Sequence, residues 1–205
     1  MQLSATAKKA KKKVKAEKVK VQGAWIKNAF LGITILTFIL ISVGGLVRNS
    51  GAGLSCPDWP LCYGEVVPPM DYKIFLEWFH RLIAGCVSVG LVLLSIVVLR
   101  RRELRQRVGK FLALAFVLLA SQVVLGGMTV LGLLSPKWVV SHLAVGLAFF
   151  GTLLWISLEL GKVLAPSKSL SSDYAPVSPG KKQMMFKFVL GATAVVYFQA
   201  ILGGM

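Results

Sequence analysis

Two histidines, one glutamate and two cysteines carry most of the chemistry available to this chain. His80 and His142 are its only histidines. Glu77 stands three residues before His80 in "EWFHR" (Glu77–Arg81), so a helix would place both on one face, one turn apart. His142 lies in "SHLAVG" (Ser141–Gly146), and each histidine has a small residue at i+4, Ala84 and Gly146 respectively. Small residues there leave room on the same face for a wide, flat group. Two imidazoles alone make a poor zinc site, which takes three or four protein ligands. They suit a haem held between helices, with one or both histidines facing the iron. No C-x-x-C-H occurs, so covalent haem attachment is not expected. The competing reading is a pair of interfacial histidines bonded to water or headgroups.

The elements that must position these residues are membrane spans. The chain has 205 residues, of which 56% are hydrophobic, too apolar a composition for a soluble domain. A span needs roughly 20 mostly apolar residues. Five stretches qualify: Ala29–Val47, Ile74–Leu99, Phe111–Leu134, Trp138–Leu160 and Phe186–Met205. The fold class expected is an all-α integral membrane protein. Four helices form a bundle over residues 25–164, a Ser/Pro linker follows at 165–185, and a fifth span at 186–205 begins a second, pseudo-symmetric repeat. Residues 1–24 read as a low-complexity basic tail, expected to be disordered and cytoplasmic. The first apolar run does not read as a cleavable signal, because its basic leader is long and no A-x-A site follows it.

The net charge of +16 is distributed in a way that argues against nucleic acid as a partner. The tail to Lys20 carries eight lysines and one glutamate, and "RRRELRQRVGK" (Arg100–Lys110) carries six basic residues. Further lysines follow the fourth span. The opposite side holds few basic residues, Arg48, Lys73, Arg81 and Lys137, and as many acids, Asp58, Glu65, Asp71 and Glu77. This is the positive-inside pattern, which places the N-terminus in the cytoplasm and the links after spans one and three outside. Membrane lipid is the partner expected for the lysine tail. On this topology both histidines sit at similar depth, roughly 6–9 Å below the outer helix starts at about 1.5 Å per residue.

The stretch "GGLVRNSGAGLSCPDWPLCYG" (Gly44–Gly64) joins the first span to the outer loop. Paired glycines let a helix or a flat ligand approach the backbone. The pairs recur in "QVVLGGM" (Gln122–Met128) and "QAILGGM" (Gln199–Met205), all on spans running the same way. Cys56 and Cys62 lie where thiols oxidise and enclose five residues, so a disulfide is expected, structural or redox-active. Cys86 reads as a small core residue. Glu77 can act on the edge of a bound ring or merely favour a helix N-terminus. Arg48 and Arg81, at the same outer level, can pair with haem propionates or anchor the interface.

The loop, "EWFHR" and "SHLAVG" together resemble the N-terminal half of the haem A synthase family, over about residues 25–205. The resemblance implies a membrane enzyme that oxidises a methyl group of haem O to a formyl group, giving haem A for cytochrome oxidase. It implies two four-helix halves, with Glu77 as the catalytic glutamate and His80 and His142 as the histidine pair around the substrate haem. Cys56 and Cys62 match the loop cysteine pair of bacterial members. A second half, with another histidine pair for a haem b cofactor, does not follow in this sequence, so a truncated chain is expected, inactive alone, rather than a half-size form. Also implied are the haem O-producing enzyme as a partner and a bacterial cell (inner) membrane location; a homo-oligomer is left open. The rival readings are a bis-histidine b-type cytochrome subunit and a non-catalytic membrane assembly protein.

Overall fold

The structure, a computed structural model, describes the backbone of residues 2–164 and the side chains of residues 25–164. The described chain is all-helical: α1 (Gln2–Asn49), α2 (Tyr72–Leu99), α3 (Arg102–Leu131) and α4 (Pro136–Leu164). Each contains a stretch long and apolar enough to cross a membrane, beginning at Trp25 in α1. The expected linker (165–185) and fifth span (186–205), with its glycine pair, lie outside the described residues.

Two boundaries differ from expectation. The basic tail is helical rather than disordered, because α1 runs without interruption from Gln2. Alanine and lysine are strong helix formers, and no glycine or proline intervenes before Gly23. The basic link between α2 and α3 shrinks to Arg100 and Arg101, and α3 starts at Arg102 instead of Phe111. Leu104 and Val108, four residues apart, are both buried and hold this charged turn on the core. At the other end, Asp71 caps α2, its carboxylate accepting from the Ile74 N–H at 2.8 Å. Pro136 opens α4 at the position where its missing N–H costs nothing.

α1 packs against α2 and α4, and α3 packs against α4. The contact between α2 and α3 is the slightest, so the bundle has a seam there. The dry core sits toward the basic end. It is built from Ile26, Phe30 and Ile33 of α1, Val87, Leu91 and Val98 of α2, Leu104 to Ala115 of α3, and Phe149 to Leu160 of α4. Their three- and four-residue spacing is that of one helix face. Thr34 and Ser157 add a buried hydroxyl contact of 3.2 Å between α1 and α4.

Toward the disulfide-loop end this core thins. α3 has no buried residue between Ala115 and Gly127, and α4 has none before Gly146. Both histidines lie at this level.

Candidate functional site

His80 and His142 each pack on the first glycine of a glycine pair. A Cβ added at Gly44 of α1 would lie 3.0 Å from His80 Cε1; one added at Gly126 of α3 would lie 3.4 Å from His142 Cε1. The space made by these glycines is therefore taken by the imidazoles themselves, not left open for a ligand. Gly127 makes room for Trp59 of the loop, 3.2 Å from an added Cβ, whereas Gly45 faces nothing. Gly146 likewise faces Gln122, whose Nε2 donates to the His142 carbonyl at 3.0 Å and ties α3 to the histidine turn of α4. Gln122 and Trp59 were not singled out from the sequence as site residues. Gln122 did stand within the recurring glycine motif, the only signal that pointed to it.

Nδ1 of His80, whose ring faces the Leu40 carbonyl, and Nδ1 of His142 are both buried without a hydrogen bond of good geometry, as is Ser95 Oγ of α2. Buried polar atoms are nearly always paired, and an orphan asks for a missing partner. Two orphaned imidazole nitrogens at one level, where the apolar core thins, fit a planar iron-bearing macrocycle with nitrogen donors. Among the described residues no group of three or more His, Cys, Asp or Glu is placed to hold a metal ion.

Glu77 is buried one turn above His80, and both of its oxygens are engaged. Oε2 accepts from the Cys56 N–H at 2.9 Å and Oε1 from Arg81 at 2.6 Å. A carboxylate has about four acceptor positions, so each oxygen keeps a lone pair for a further partner.

Cys56 and Cys62 form a disulfide, as expected, and both are buried. The loop they close lies over the end of the bundle. Arg81 donates to the carbonyls of Asp58 (2.8 Å), Leu61 (2.5 Å) and Cys56 (3.4 Å), and Trp78 Nε1 donates to the Val66 carbonyl at 2.7 Å. Asp58 accepts from the N–H groups of Tyr63 (2.6 Å) and Gly64 (2.7 Å). The bond from Gly64 is the main cause holding the Asp58 carboxyl below its ordinary range, and Tyr63 and Arg81 act in the same direction. Gly53 abuts Leu134 in the link between α3 and α4, where Leu133 and Leu134 adopt positive φ. The loop is thus fastened to α2, to α3 through Trp59, and to the opposite link.

Arg81, expected to pair with a propionate or to anchor the interface, is turned into the loop carbonyls and Glu77. Arg48, with the same two expected roles, is exposed in the last turn of α1. Cys86 is exposed on the outward side of α2, not in the core, on the wall of an apolar groove of about 640 Å³. Helix rotation decides this: Val87 takes the core-facing position beside it.

The chain matches the family model described as cytochrome oxidase assembly protein over residues 27–74 and 70–205. It is 31% identical over 140 residues to a protein of Symbiobacterium thermophilum named "Heme A synthase", covering 67% of this chain and 45% of that one. It is 30% identical over 188 residues to the "Heme A synthase" of Shewanella oneidensis, covering 83% and 54%. The protein of that name from Bacillus pumilus is 28% identical over 153 residues, covering 73% and 49%. The chain therefore spans about half the length of the curated relatives it matches. No solved structure matches it.

Proposed function

The chain belongs to the COX15-CtaA family of cytochrome oxidase assembly proteins, and on that premise we propose that it is the haem-oxidising half of a haem A synthase. Its substrate is haem O, and the reaction turns one ring methyl into a formyl group. The observation that carries this reading is the pair of buried, unpartnered Nδ1 atoms on His80 and His142, with a buried glutamate one turn above. His80 and His142 are the residues that hold the haem, and Gly44 and Gly126 set their rings. When bound, the haem would supply an iron that one or both imidazoles could ligate. Support for the name of the activity comes from the relatives called "Heme A synthase".

Glu77 has the role on the substrate. Turning the methyl into a formyl group, R–CH3 + H2O → R–CHO + 4 H+ + 4 e−, needs an electron acceptor beyond the described residues, and it builds positive charge on the carbon attached to the ring. A fixed carboxylate in a low-dielectric site stabilises that charge and can accept the proton released. Asp58 is committed to its two loop N–H groups and Asp71 to the α2 cap, which leaves Glu77 the best-placed acid near His80. In this reading haem b belongs to a second half that span five begins, and the haem O-producing enzyme hands over the substrate from the same membrane. A bacterial cell membrane is the location, because the relatives are bacterial.

The test is direct. Membranes of a host that makes haem O but not haem A, carrying the full-length gene product, are extracted and their haems separated. Haem A is expected with the native sequence and none with His80→Ala or His142→Ala. Haem bound by the native protein but unchanged in the extract would favour the electron-transfer reading, in which the imidazoles ligate and nothing is converted.

Orientation belongs to the same proposal. The basic ends of α1, α3 and α4 face the cytoplasm and the disulfide loop faces outside, where thiols oxidise. Val66, among the most exposed loop residues at 76%, is the reporter. A Val66→Cys variant should react with an impermeant thiol reagent added to intact cells, and Ser171→Cys should not. The opposite labelling pattern would invert the topology.

A further inference from the structure

We propose that Arg81 is a positioning residue: it locks the Glu77 carboxylate and the disulfide-closed loop into one unit above His80, and it is not an anchor for a haem propionate. The proposal rests on Glu77 acting on the substrate.

The geometry of the guanidinium carries it. Nη1 donates to the carbonyls of Asp58 and Leu61, and Nη2 to the Cys56 carbonyl and Glu77 Oε1. With a longer contact from Nη1 to the Pro60 carbonyl at 3.5 Å, these acceptors engage both terminal nitrogens of the planar fork and turn it into the loop. The carbonyls come from both ends of the disulfide ring, Cys56 at one and Leu61, beside Cys62, at the other, with Asp58 between them. The circuit then closes on itself. The Cys56 N–H donates to Glu77 Oε2 at 2.9 Å, and the Cys56 carbonyl accepts from the arginine that holds Oε1. One peptide and one guanidinium thereby fix both carboxylate oxygens. The Glu77 side chain is 5% exposed and that of Arg81 18%, so this is a shielded pair with its hydrogen bonds satisfied. A lysine at 81 would keep a charge near Glu77 but has no planar fork to span the loop.

The experiment uses the full-length protein in membranes that contain haem O, with Arg81→Ala, Arg81→Lys and each combined with Glu77→Gln. Three quantities are read: haem bound per chain, the fraction converted, and the concentration of a phosphine reductant that opens Cys56–Cys62, scored by alkylation and mass. Arg81→Ala should retain haem, lose conversion about ten- to a hundredfold as for a supporting residue behind a reactive one, and open its disulfide at lower reductant. It should add nothing to Glu77→Gln, because it acts through that residue. Arg81→Lys should recover part of the conversion while the loop stays loosened, and it carries the test if the alanine variant does not accumulate. Haem lost in step with conversion, at an unchanged reductant threshold, would overturn the proposal in favour of a propionate anchor. Normal conversion in Glu77→Gln would refute the role of Glu77 in the reaction. The lock would then stand or fall on the loop alone, and an unchanged threshold in Arg81→Ala would overturn it.

Discussion

Glu77→Gln is expected to leave haem bound and to stop its conversion. The substitution removes no imidazole, so both histidines and the glycines that seat them are untouched. The shape of the side chain is kept, and its carbonyl oxygen can still accept from Arg81 or from the Cys56 N–H. Its amide group then faces a second donor, an unmatched contact worth about 1–3 kcal/mol. That loosens the loop without emptying the site. The charge is what the reaction loses. A carboxylate that stabilises developing positive charge, or takes a proton, contributes about 10²- to 10⁴-fold, and neutral glutamine supplies neither function. Haem extraction and chromatography should therefore show unchanged haem per chain and at least about a hundredfold less formyl haem. Normal haem A from this variant would reduce Glu77 to a latch for the loop. A b-type electron-transfer subunit would lose nothing by the same change.

The same residue shows how far the sequence could be read. The E-x-x-H spacing placed Glu77 and His80 on one helix face, because 3.6 residues per turn leaves little choice. The four described spans and the cysteine pair were equally legible, from hydropathy and from the side of the membrane. What could not be read was the partner of each group, because that depends on how neighbouring helices are rotated and how a long loop folds back. For Arg81 the spacing left a propionate partner and an interface anchor equally open, and its hydrogen bonds run to loop carbonyls and Glu77. Cys86 was expected in the core, and a rotation of one residue gives that place to Val87. The glycine pairs were recognised as sites of close approach, but not what approaches. The first glycine of each pair on α1 and α3 seats an imidazole, and the second on α3 seats Trp59. The lysine tail is low in complexity, yet its residues are good helix formers, and it continues α1.

Gly44→Val should empty the haem site, while Gly45→Val, one residue away, should not. An added Cβ at Gly44 would stand 3.0 Å from His80 Cε1, 3.6 Å from Nδ1 and 3.7 Å from Nε2, so the whole ring lies against that position. The His80 ring has little freedom to yield, because its backbone is held two turns into α2, between Glu77 and Ile83, both buried. Valine adds two methyl groups beyond the Cβ, and they must push the imidazole off its rotamer or push α1 from α2. Overpacking of this kind costs about 1–3 kcal/mol, roughly five- to 150-fold in the affinity of any ligand that needs the ring in place. At Gly45 an added Cβ meets nothing within 4 Å, so valine there points away from the bundle and costs the site nothing. Gly126→Ala lies between the two, because its Cβ would meet His142 Cε1 at 3.4 Å, close to ordinary contact. Bound haem per chain, read from the absorbance of the purified protein, should therefore fall steeply in Gly44→Val, slightly in Gly126→Ala and not at all in Gly45→Val. Equal haem in the Gly44 and Gly45 variants would mean that the His80 ring does not hold the iron. The pair would then be two structural histidines packed on glycine.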